Sequence, residues 1–181
     1  MDDATERAQR WLTDRLASSL LIQHYFELRA KGLDADAGVK IVGALTETYV
    51  LGRCAVLASV AAEIVGRDRM VSFMHADGHL LHAVIACTPQ AVGEPLRGDC
   101  VDILGRERLE GMKGALEAAL GPVSIMIGEM VDKDELRPGE RERLFRIFAA
   151  LPWLRKALLV PASNQPPVQL FEQMVEASNS A

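Results

Sequence analysis

The sequence predicts an α+β fold in which helices pack on a central antiparallel sheet. Three observations carry that expectation. Two strand-like runs, 70–76 and 79–88, flank the hairpin dipeptide Asp77-Gly78, and a third at 100–104 follows a loop punctuated by Pro89, Gly93, Pro95 and Gly98. Helical periodicity stands on both sides of these runs. Segment 54–65 is apolar nearly all round, which marks a helix with neighbours on every side.

Taken in order, residues 5–31 read as one long helix through Ala8, Trp11, Leu12, Leu16, Leu20, Phe26 and Ala30, with Asp3 and Glu6 as its capping pair and Gly32 as its stop. Arg7, Arg10, Asp14 and Arg15 are assigned to its opposite, polar face. Asp34 caps a shorter helix through Val39, Ile41, Val42 and Leu45, in which Gly38 and Gly43 each cost about 1 kcal/mol relative to Ala. Residues 46–52 read as a loop before Cys54, and Gly66 ends the apolar helix. Period-two alternation puts Leu80, His82, Val84 and Ala86 on one sheet face and gives Cys100 and Asp102 a shared face, so His82 and Asp102 are expected side by side. A helix over 107–120, a strand over 123–127, a charged amphipathic helix from 137 to Pro152 and a last helix over 168–177 complete the reading. The chain is read as one domain over 1–181: an N-terminal helical region (1–45), a core that could carry catalysis (46–130) and C-terminal helices (131–181).

Composition narrows the function classes. With 49% hydrophobic and 25% charged residues the chain has the make-up of a water-soluble globular protein, and no apolar run approaches the roughly 18 residues of a membrane span. A net charge of -5 argues against nucleic acid as a partner, because that affinity comes from Lys and Arg neutralising phosphates. Cys54, Cys87 and Cys100 are an odd, irregularly spaced set behind an acidic Met1-Asp2-Asp3 start with no cleavable export signal, so reduced thiols and a cytoplasmic location are expected; export that reads no cleavable signal stays open. There is no P-loop, dinucleotide fingerprint or His-Glu-x-x-His element, and no cofactor is expected.

Chemistry concentrates on Cys54 at the start of the apolar helix. A thiol becomes a strong nucleophile as thiolate, and a helix N-terminus with a nearby imidazolium lowers its pKa. His82 supplies a base, and Asp102 a group that fixes the imidazole tautomer. The residues Gly52, Cys54 and Ala58 on a helix, His82-Ala83-Val84-Ile85 on a strand, and Asp102 and Gly105 before a further helix resemble the papain-like and transglutaminase-like cysteine enzyme superfamily, especially its small bacterial and phage members, over about residues 46–120. That resemblance implies a papain-like core, with Cys54 as nucleophile, His82 as base and Asp102 as orienting group. It also implies acyl transfer through a thioester on a peptide or protein substrate: hydrolysis, deamidation or transamidation.

The chain departs from the family where a Gln or Asn usually precedes the nucleophile: residues 46–51 offer no amide side chain. The oxyanion donors then fall to the Cys54 N–H with Tyr49 or Thr48. Rivals exist for each role. His79 competes with His82 and Asp99 with Asp102, while His75, His79, Cys87 and Cys100 offer zinc-type donors at spacings that match no established pattern, so no metal is assigned. The alternative from another class is a catalytically silent domain that binds a protein or small molecule in the same cleft.

Overall fold

The computed structural model describes residues 3–129 and 135–179. The N-terminal segment forms two helices rather than one, α1 (Asp3–Ala17) and α2 (Leu20–Ala30). Ser19 is the reason: its hydroxyl accepts the Ile22 N–H at 3.2 Å, so a residue that bonds its own backbone breaks an otherwise continuous apolar period. Asp34 caps α3 (Ala35–Tyr49) in the same way, accepting from the Ala37 N–H at 2.9 Å. Helix α3 runs through most of the expected loop because burial of Thr46 and Tyr49 overrides weak local propensity.

The two glycines of α3 have opposite roles. A Cβ on Gly38 would collide with the Tyr25 ring, whereas one on Gly43 would meet nothing. Gly43→Ala is therefore expected to stabilise the protein by about 0.5–1 kcal/mol in urea denaturation, and Gly38→Ala to destabilise it by more than that through overpacking.

Helix α4 (Cys54–Val65) buries Val56, Leu57, Ala58, Val60, Ala61 and Ala62, its small residues allowing close approach to the sheet. The sheet comprises β1 (Met70–His75), β2 (Leu80–Ala86), β3 (Asp99–Val101), β4 (Arg106–Arg108) and β5 (Val123–Ile127), in the order β4-β3-β2-β1-β5. Each neighbouring pair is antiparallel. The third strand is shorter than its pattern suggests, and β4 takes residues that read as the start of a helix. The turn at 102–105 sends the chain straight back along β3, so that helix, α5, spans Leu109–Leu120. Beyond the sheet come α6 (Glu140–Ala150), α7 (Pro152–Leu158) and α8 (Pro167–Asn179); Pro152 both ends α6 and opens α7.

Two apolar layers sandwich the sheet. Met70, Ala83, Ile85 and Val101 face the larger one, built with α2, α3, α4 and α6 to α8. Val71, Phe73, Val84, Ala86 and Cys100 face the smaller one, with Leu109, Met112 and Leu116 of α5 and with Trp11 of α1 packed against it. His82 lies two residues before Val84 and meets Trp11 edge-on, ring centroids 6.3 Å apart. Among the described residues no single helix is long and apolar enough to cross a membrane.

Candidate active site

Asp102 is the most fully engaged side chain of the site. It sits in the turn after β3, where Oδ1 accepts the N–H groups of Leu104 (2.9 Å) and Gly105 (3.2 Å). The turn needs glycine at 105: φ there is +152°, and a Cβ would press on Leu20. Oδ2 takes His82 Nε2 at 2.8 Å and Arg15 Nη2 at 2.6 Å, while the Asp102 carbonyl accepts the Trp153 indole N–H at 2.8 Å. Burial pushes this carboxyl up, but the Arg15 cation and the His82 bond outweigh it and hold it well below the usual range. Asp102 is thus ionised although only 1% exposed.

With Nε2 committed to Asp102, the His82 ring presents Nδ1 to the remaining space, and that buried nitrogen has no well-formed hydrogen bond. The Cys54 thiol nonetheless couples to the ring by hydrogen bonding and charge. The thiol therefore acts on the imidazole without a well-formed hydrogen bond to Nδ1. Burial raises the Cys54 pKa, and the His82 bond and charge together with the Ala83 and Ala55 backbone bonds bring it below its ordinary value. Burial lowers His82, and its bonds to Asp102 and Cys54 raise it to about 9. A thiolate–imidazolium pair is favoured by both shifts.

The Ala83 contribution follows from the sheet. Pairing of Ile85 with Val101 would continue to Ala83 opposite Ile103, but β3 stops at Val101. The Cys87 N–H donates to the Asp99 carbonyl at 2.7 Å, and alternation along β2 aims the Ala83 N–H the same way. Cys54 receives it in place of a strand.

Helix α4 also begins without a side-chain cap, leaving first-turn N–H groups beside Cys54 to favour negative charge. Arg53, the residue before the thiol, is fixed by a bidentate bond to the buried Glu140 (2.6 and 2.7 Å) and by its bond to the Glu135 carbonyl at 2.8 Å. Glu140 in turn accepts the Arg137 N–H at 2.9 Å. The start of the helix is thereby anchored to α6.

The structure therefore brings His82 and Asp102 into direct contact and sets Cys54 against the ring. It places Tyr49 and Thr48 elsewhere, in the lining of a cavity with Arg137, Glu140 and Arg143. Neither is among the principal groups acting on the thiol. The rivals are engaged apart from the site: Asp99 pairs with Arg106 at 2.8 Å, His75 with Asp77 at 2.9 Å, and His79 lies exposed at the hairpin. Among the described residues no group of three His, Cys, Asp or Glu side chains converges as a metal site would require.

Arg15, Trp11 and Trp153 are the residues that sequence reasoning missed. Arg15 is no solvated charge; its side chain is 11% exposed, stacked over Trp11 and clamped on Asp102, with Glu107 3.3 Å from Nε. The signal was present, since four residues after Trp11 is the same helix face, not the opposite one. Together α1, the sheet and α7 close over the site, and Cys54 and His82 line none of the four clefts described on the surface. Searches against family models, curated proteins and solved structures return no match to this chain.

Proposed function

We propose that this protein is a cysteine-nucleophile acyl-transfer enzyme, most simply a peptidase-like hydrolase, with a papain-like or transglutaminase-like core. The observation that supports it is the buried His82–Asp102 pair whose free Nδ1 faces Cys54. The Cys54 thiolate attacks the carbonyl carbon of a peptide-type bond, and the oxyanion is met by N–H groups of the uncapped first turn of α4, which supply what no upstream amide side chain can. His82 then passes its proton to the leaving amine as the C–N bond breaks, leaving a thioester. Water, or an acceptor amine, gives a proton back to His82 and displaces the thiolate. Asp102, held charged by Arg15, keeps the imidazole oriented throughout. Peptide or protein substrates fit this chemistry, and three free cysteines fit a reducing, cytoplasmic setting.

The test is p-nitrophenyl acetate. A burst of p-nitrophenolate is expected, with the acetyl group mapped by mass spectrometry to Cys54, followed by turnover that Cys54→Ala and His82→Ala abolish. Acetylation spread equally over Cys87 and Lys side chains, or no difference among the variants, sinks the reading in favour of a silent binding domain.

A further inference from the structure

His24 is a buried titratable group that the Cys54 chemistry does not use. It lies on α2, 7% exposed, and its ring meets Trp153 of α7 and Phe171 of α8 edge-on, centroids 6.1 and 5.9 Å apart. One imidazole thus joins three helices. Its Nδ1 stands 3.7 Å from a Glu27 carboxylate oxygen, too long for a well-formed hydrogen bond, and its buried Nε2 has no hydrogen-bond partner among the described residues. The charged groups acting on the ring are Glu27 of α2, Lys31 at the end of that helix and Arg155 of α7; from α8 it meets the Phe171 ring. Burial holds the imidazole below its ordinary value, with Glu27 opposing and Lys31 and Arg155 reinforcing.

A neutral imidazole carries one N–H, whereas the imidazolium carries two, so a proton puts a full charge and an unbonded Nε2–H donor into this aromatic packing. Glu27 is 67% exposed and stands on the Nδ1 side, which leaves the Nε2 side uncompensated. We infer that His24 is an acid-sensitive latch whose protonation releases α7 and α8 from α2 while the sheet stays formed. The Trp153 indole also holds the Asp102 carbonyl at 2.8 Å, so the latch acts on the turn that carries Asp102. The inference is independent of the Cys54 chemistry. Its sign follows from linkage: a base lowered by folding contributes stability that is fully present above its unfolded pKa of about 6.5 and is lost as pH falls below that. His82, raised to about 9, stays charged across that range, and His75 and His79 lie on the β1–β2 hairpin.

The test is amide hydrogen exchange of the full chain at about pH 7.5 and about pH 5, corrected for the intrinsic pH dependence of exchange. Protection of α7 and α8 is expected to fall about tenfold at the lower pH, within the roughly thirtyfold that a group of pKa about 6.5 allows there, while β1 and β2 keep theirs. His24→Phe and His24→Leu fill the space with a side chain that does not titrate, so each should leave the two helices equally protected at both pH values. The latch is overturned if wild-type α7 and α8 are protected alike at the two pH values, if either variant loosens as the wild type does, or if the strands lose protection in step with the helices. Should neither variant fold, the wild-type contrast between helices and strands decides.

Discussion

Iodoacetamide is expected to alkylate Cys54 at pH 6.5 about tenfold faster than it does in His82→Ala, with the modified residue identified by peptide mapping. The sign follows from the two shifts. The thiol is lowered and the imidazole raised to about 9, so between them the sulfur is thiolate beside imidazolium. An ordinary thiol with a pKa of about 8.5 is only about 1% ionised at pH 6.5. The lower pKa also makes the thiolate intrinsically less nucleophilic, so the rate gains less than the thiolate fraction does, and an advantage of about tenfold is expected. In His82→Ala the burial that raises the thiol remains and the charge that lowers it is gone, so reaction should begin only at alkaline pH. Above about pH 9 the wild-type imidazolium loses its proton, and the two rates should converge. Cys100 supplies an internal control, because its thiol is fully buried and burial pushes its pKa up. Equal rates for the two proteins at pH 6.5 would show that ring and thiol do not share a proton.

Replacing Arg15 with Met should cost about 3–5 kcal/mol in urea denaturation at pH 7, the range for breaking one side of a buried ion pair. The carboxylate it abandons is 1% exposed and keeps only His82 as a cationic partner. The double variant Arg15→Met with Asp102→Asn should lose less than the sum of the single changes, since neither then strands a charge. The pH dependence adds a second readout. Asp102 has a depressed folded pKa, so its contribution is fully present above its unfolded value near 3.9 and declines as pH falls below that. In Arg15→Met the folded value returns toward normal and that contribution disappears. The gap between wild type and variant should therefore narrow below pH 4. A variant as stable as wild type at neutral pH would mean that the Arg15 contact carries no net stabilisation.

Much of this arrangement is legible in the sequence because strands reveal themselves by alternation. The spacing from His82 to Ala86 fixes a shared face with Cys100, and the structure has Val84, Ala86 and Cys100 in one layer. Helix starts are legible where a capping side chain follows a break, as at Asp34, and are hidden where the capping residue lies inside an apolar period, as at Ser19. Arg15 escaped notice because a charge on an amphipathic helix is normally solvated, and only the position of Asp102 in space makes it a partner. Nearness in the chain suggests Tyr49 and Thr48 as oxyanion donors, and the structure shows both of them lining the cavity with Arg137 and Arg143. The Ala83 N–H could not be foreseen at all: it depends on how far a neighbouring strand continues.

The early end of β3 has a consequence for how such a site arises. One carboxylate ties the turn with Oδ1 and holds the imidazole with Oδ2, so the same residue removes a rung from the ladder and equips the gap it leaves. Chemistry and topology are then inherited together. Transplanting a cysteine and a histidine onto a sheet with unbroken pairing would reproduce the residues without the vacancy, and a two-residue extension of β3 would seal this one with every reactive side chain still in place.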